Sequence, residues 1–164
     1  MSTRAMYQFQ DSPNEPTFTV YKHFDGYPEG AAGFFAGTLG HAWPLPRFEA
    51  DDFAAAFIAA NKTAPGRLPG DCGGNIRLVA SGEAGAWRQT ADIEYRYLLS
   101  PIKGKVKRLA DIETASGGVR VQAFSVHCED WENAGKPSTW SEEVIFDGQL
   151  VEFIATFSKK SKAA

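Results

Sequence analysis

The chain has 164 residues, 43% of them hydrophobic and 23% charged, with 17 basic and 20 acidic side chains and a net charge of −3. That length suits one domain with a substantial core, and the composition is that of a folded globule rather than a disordered chain. The acidic excess argues against nucleic-acid binding, which needs a basic face, and no apolar run approaches the roughly 20 residues of a membrane helix.

Two cysteines, Cys72 and Cys128, are too few for a disulfide framework. With no apolar leader after Met1, both point to reduced thiols in a cytoplasmic protein.

Along the chain, "AMYQFQ" alternates in period two and puts Ala5, Tyr7 and Phe9 on one face. "DSPNEP" is rich in turn formers. "TFTVYKHF" alternates again, with Phe18, Val20 and Phe24 on one face and Thr19, Tyr21 and His23 on the other. Together the two runs predict a β-hairpin.

Pro28 suits the first position of a helix, and Ala31, Phe35 and Leu39 follow at helical spacing up to a left-handed Gly40 cap. Gly30, Gly33, Gly37 and Gly40 share neighbouring positions on that helix. An internal glycine costs a helix about 1 kcal/mol against alanine. The stripe therefore calls for a close contact, with a sheet or with a ligand.

"FEADDFAAAFIAANK" is the clearest helix. Glu49 or a neighbour starts it, Phe48 and Phe53 stand at staple spacing if Glu49 is the N-cap, and Asp51 and Asp52 suit the dipole. "TAPGRLPGDCGG" reads as a long loop.

The second half reads as strands: "NIRLVAS", "ADIEYRYLL", an exposed "KVKRLADIE" whose lysines protect an edge, "GVRVQAFSVHC" and "WSEEVIF". In "ADIEYRYLL" the alternation places Ile93, Tyr95, Tyr97 and Leu99 inward and Asp92, Glu94 and Arg96 outward. A last helix over "DGQLVEFIATFSKK" takes Asp147 as N-cap and Leu150, Phe153, Ile154 and Phe157 as its core face.

The order predicts an α+β domain, a mostly antiparallel sheet of about five to seven strands with two or three helices on one face. It spans 1–158, with 159–164 a disordered basic tail.

The usual catalytic signatures are missing from the sequence. HExxH, G-x-S-x-G and the Walker pattern do not occur. "GDCGGN" precedes a strand rather than a helix, which fails the dinucleotide context. "HCE" has half of the zinc-deaminase signature without its P-C-x-x-C partner. No metal site and no cofactor is expected. The carboxylate pairs Asp51–Asp52, Glu129–Asp130 and Glu142–Glu143 have local roles as helix starts or solvated surface. Trp131 and Trp140 bracket "ENAGKPST", where such residues either anchor a partner or lid a small satellite core.

"YKHFDGYPEG" joins a strand end to a helix start. Backbone N–H groups there can hold an acidic group. Arg4, Lys22, His23, Asp25 and Tyr27 are the candidate ligand- or partner-binding residues. The competing reading is a structural corner in which Asp25 and Glu29 cap the helix themselves.

Ser2-Thr3-Arg4 and the block Tyr21–Gly30, with its Y-x-H-x-D-G-Y-P-x-G pattern, resemble a group of small bacteriophage and prophage proteins of unknown function. "AWPLPRFEADDFAAAFIAANK" and "ADIEYRY" resemble further shared blocks, so the likeness runs through the N-terminal part of the chain as far as Tyr97. The resemblance implies a phage-encoded accessory protein acting by binding a host protein or a small molecule. An alternative is a small hydrolase for a phosphate ester, built from His23, Asp25 and His41 or His127. The sheet edges and the aromatic content point to a homo-oligomer.

Overall fold

The computed structural model describes residues 3–12, 17–45, 47–62, 76–82, 84–90, 92–102 and 118–160. The strands are β1 (Ala5–Phe9), β2 (Thr17–Lys22), β3 (Ile76–Gly82), β4 (Tyr95–Pro101), β5 (Val119–Cys128) and β6 (Trp140–Gln149). The helices are α1 (Pro28–Leu39), α2 (Ala50–Lys62) and α3 (Leu150–Lys160), with short 3-10 turns at Ala84–Gln89, Trp131–Asn133 and Pro137–Thr139.

The six strands form one sheet in the order β3-β2-β1-β4-β5-β6. All neighbours are antiparallel except the central pair, β1 and β4. The α+β class, the mostly antiparallel sheet and the β1–β2 hairpin agree with the sequence reading. The expected strand over "KVKRLADIE" and the loop carrying Cys72 lie outside the described residues, as do 161–164.

One sheet face carries the main core, where Ala5, Tyr7 and Phe9 of β1, Val20 of β2, Tyr97 and Leu99 of β4, and Val119, Val121 and Ala123 of β5 meet the helices. The helices contribute Phe35, Phe53, Phe57, Leu150 and Phe153. Period-two alternation on the strands thus matches period 3.6 on the helices. The core is built largely from rings. Tyr7 stacks on Tyr97 at 5.0 Å and lies 4.6 Å from Phe57 and 5.6 Å from Phe35, centroid to centroid. Burial, with Asp25 nearby, pushes the Tyr7 phenol well above its ordinary range, so it stays neutral.

The other face carries a smaller cluster of Met6, Tyr21, Trp87, Ile93 and Val126. Ile93 was expected inward with Tyr95 and Tyr97, but it precedes β4 and packs against this second face instead. Arg96 inserts its guanidinium between Trp87 and Phe124, 5.0 and 4.0 Å from the ring centroids. It bonds Glu142 across β5 at 2.5 Å and Gln8 at 3.2 Å. Stacking on both sides exploits the flat face that a lysine would lack.

Of two helix starts, that of α2 agrees with expectation and that of α3 departs from it. Glu49 does accept the first bond of α2, from the Phe53 N–H at 2.9 Å, and Phe48 packs on Phe53 at 5.3 Å as the staple spacing implies. A further cap reaches in from the loop after β1, where Asp11 accepts the Ala50 N–H at 3.0 Å. At α3 the expected cap fails. Asp147 belongs to β6 and is bound by Arg120, while Glu152 reaches back to the Gln149 N–H at 3.1 Å and closes the helix start.

The Arg120 hydrogen bond holds the Asp147 carboxyl below its ordinary value. A depressed folded-state value means the contribution is present at neutral pH and fades as the carboxylate protonates on acidification. Both groups are open to solvent, at 45% and 38% side-chain exposure. Asp147→Asn should therefore cost under about 1 kcal/mol by urea melting at pH 7, with a smaller difference at pH 3. An equal cost at both values would rule out the ion pair as its origin.

The glycines of α1 also fall differently from expectation. Ala31, Ala32, Phe35 and Thr38 are the buried positions, while Gly33, Gly37 and Gly40 are exposed and pack on no sheet. Gly40 has φ −76°, in the right-handed region rather than the left-handed one. The Asn61 amide ties α2 to α1 instead, donating to the Phe57 carbonyl at 2.8 Å and the Phe34 carbonyl at 3.3 Å.

Candidate functional site

The "YKHFDGYPEG" corner is fixed mainly by backbone geometry. Asp25 takes φ 56°, the one non-glycine positive φ among the described residues. Gly26 follows it against β1: a Cβ there would stand 2.7 Å from the Ala5 Cβ and 2.9 Å from the Ala5 nitrogen. Its N–H donates to the Thr3 carbonyl at 2.9 Å and its carbonyl accepts the buried Tyr97 hydroxyl at 2.7 Å. Neither Asp25 nor Glu29 caps α1: the N-cap is Tyr27, with no side-chain hydrogen bond, and Pro28 opens the helix.

The five candidate residues divide between three places. Lys22 points to the helix side, 4% exposed, with its ammonium 4.2 Å from the centre of the Phe34 ring. Asp25 and Tyr27 are exposed at the corner itself. Arg4 and His23 meet at the end of the second face. Arg4 Nε lies 3.4 Å from His23 Nδ1 and 3.0 Å from an Asp92 oxygen, and the Tyr21 hydroxyl is 2.7 Å from the same His23 nitrogen. Burial pushes the Tyr21 phenol up, Asp92 reinforcing the rise and Arg4 opposing it. This is a hydrogen-bonded cluster rather than a set of separate surface groups.

Arg4 is also one wall of a groove of about 240 Å³. Its floor is apolar, from Ile93, Val126 and the Cys128 thiol, all at most 5% exposed. Asp92 and Glu94 share the rim with Arg4, and His127 and Trp131 close the far side. The β1–β4 pairing builds the near wall, since the Arg4 carbonyl accepts the Glu94 N–H at 3.0 Å and the Tyr95 N–H at 3.3 Å.

Among the described residues Trp131 is the most exposed of the large hydrophobic side chains, at 64%. The excursion that carries it is heavily bonded. Asp130 accepts the N–H groups of Glu132 and Asn133, and Cys128 donates its thiol to the Asp130 carbonyl at 3.4 Å. Thr139 donates its hydroxyl to the Asn133 and Lys136 carbonyls, and the Trp140 indole donates to Ala134 at 2.6 Å. The two tryptophans therefore split roles. Trp140 packs edge-on against Trp87 at 4.9 Å as a lid on the second cluster, while Trp131 stands out in solvent on a fixed loop.

A second, more open cavity of about 520 Å³ lies on the helix side, lined by Pro28, Glu29, Tyr95, Ser125, Glu143, Ile145 and Phe157. Burial raises the Tyr95 phenol there, with Glu94 and Glu29 adding to the shift.

Among the described residues no three metal-ligating side chains gather as a metal site would need, and no helix is long and apolar enough to cross a membrane. No protein-family model, curated protein or solved structure matches the chain. The site is therefore read from its own geometry.

Sequence reasoning singled out Arg4, His23 and Trp131 but missed Asp92, Glu94 and Cys128 as members of the same site. The alternation of "ADIEYRYLL" marks Asp92 and Glu94 as outward-facing. Nothing local says that Arg4 lies across from them.

Proposed function

We propose that the protein is a phage- or prophage-encoded accessory protein that acts in the host cytosol without catalysis, by binding, and that the Arg4 groove is its contact site. The observation that carries this reading is Trp131. A large aromatic side chain presented to solvent from a hydrogen-bonded loop, beside a groove with an apolar floor, suits an interface anchor. At about 240 Å³ the groove is smaller than the 300–1,000 Å³ usual for drug-sized ligands. That favours a side chain of a host protein over a whole small molecule. Self-association through β3 or β6, the outer strands among the described residues, belongs to the same reading.

The hydrolase alternative has less behind it. Asp25 precedes the start of α1 and His41 follows its end, so a helix of about 18 Å separates them at 1.5 Å per residue. His127 lines the Arg4 groove, whereas Asp25 is not among the residues that line it.

The test is affinity capture from bacterial lysate with bead-bound wild-type protein and Trp131→Ala, read by quantitative mass spectrometry. A host protein retained by the wild type and reduced about thirtyfold by the substitution, the effect of a hot-spot residue, is the expected result. Retained proteins that ignore Trp131, or turnover of a chromogenic phosphate ester, would overturn the reading.

A further inference from the structure

We infer that the Arg4 groove recognises a basic side chain, an arginine or lysine presented by the partner protein. This rests on the binding reading above and adds the chemistry of the contact.

Charge is the first argument. Asp92 and Glu94 outnumber Arg4 around the rim. Arg4 and Asp92 pair with each other at 3.0 Å, which leaves Glu94 as the unbalanced charge of the rim. Glu94 has no ion pair among the described residues. One of its oxygens takes the Arg4 backbone N–H at 3.4 Å, and among the described residues the other has no hydrogen-bond donor. Glu129, Asp130 and Glu132 flank Trp131 in the chain, against the single Lys136 of that loop. An anionic ligand would meet this surplus of carboxylates, whereas a cation is drawn to it.

Shape and ring chemistry give the second. An indole face attracts ammonium and guanidinium groups better than any other side chain does. The stem of a long basic side chain is apolar and its head is charged. Ile93 and Val126 supply an apolar floor for such a stem, with Glu94 and Trp131 at the rim for the head.

The probes are the blocked peptides acetyl-Gly-Arg-Gly-amide and acetyl-Gly-Glu-Gly-amide, titrated into the full-length protein labelled with nitrogen-15. The arginine peptide should shift the Trp131 indole signal and the Glu94 and Val126 amides in the millimolar range, less so as salt is raised. Glu94→Gln and Trp131→Ala should each weaken it about two- to fivefold. Unchanged amide dispersion verifies that both variants fold. The acidic peptide should shift nothing at the groove. Equal shifts from both peptides, or an arginine response indifferent to Glu94→Gln, would overturn the inference.

The two proposals fail separately. A captured host protein that needs Trp131 but binds Glu94→Gln undiminished keeps the binding reading and removes the basic contact. Loss of that protein with both substitutions supports the two together.

Discussion

Gly30→Ala should destabilise the protein by about 3 kcal/mol or more, the upper range of overpacking. A Cβ at Gly30 would sit 2.1 Å from the Asp25 carbonyl oxygen and 2.9 Å from its carbon. The obstacle is backbone, not the tip of a flexible side chain. That backbone is itself pinned, since Asp25 already stands at φ 56° and Gly26 is pressed on β1 and bonded to Thr3 and Tyr97. Relief would have to come from unwinding the first turn of α1 or lifting the corner off the sheet.

Three residues on, in the same helix, the same substitution should have the opposite sign. Nothing lies within 4 Å of a Cβ at Gly33, so Gly33→Ala should stabilise by about 1 kcal/mol through helix propensity alone. At roughly 2–4 °C per kcal/mol for a chain of this size, thermal melts would separate the two variants by about 8–16 °C. Equal melting temperatures would sink this account of the corner.

Phe153→Ala should cost about 3–5 kcal/mol, as aromatic-to-alanine changes in closed cores do. Phe153 is fully buried. Its ring lies 4.7 Å from Phe157, 5.2 Å from Phe146, 5.7 Å from Phe35 and 5.8 Å from Tyr97, so it ties α3 to α1, β4 and β6 together. Stiff rings on all sides leave the hole little means of collapse. Because the groove lies on the other face of the sheet, the folded fraction of this variant should respond to the arginine peptide like the wild type. A urea midpoint unchanged from wild type would contradict the packing, and a lost peptide response in the folded variant would contradict the separation of the two faces.

Much of this architecture is local in origin and so was legible. Phe48 and Phe53 are five residues apart, and their contact follows from helix geometry once the cap at Glu49 is recognised. The alternation of "AMYQFQ" and "TFTVYKHF" predicts a hairpin because the two runs are so close in sequence that each has few other partners. Asp147 failed as a helix cap because Arg120 on β5 competes for it, and pairing with β5 carries β6 as far as Gln149. A capping residue is a local signal that a cross-strand cation can override.

The glycine stripe misled for a related reason. Small residues on one helix face suggest close approach, but the phenylalanines and alanines on the other face made the stronger claim on the sheet. The site was the least legible part. Arg4, His23 and Trp131 each carry a residue-level signal, and the β1–β2 hairpin brings Arg4 to His23, yet the approach of Arg4 to Asp92 and Glu94 depends on β1 lying parallel to β4, with Ala5 opposite Tyr95, a pairing no short-range pattern encodes.

That parallel pairing also sets an order on the chain's own synthesis. One side of β1 is satisfied as soon as Lys22 has emerged to pair with Ala5. The other side must wait for Leu99, the partner of Phe9. Contacts so far apart in sequence form slowly, because the loop between them must close first. Until then the strand that becomes the middle of the sheet is an edge, with its backbone donors and acceptors open on one side. The groove comes later still: its walls run from Arg4 to Trp131, so no fragment that stops short of either end contains it.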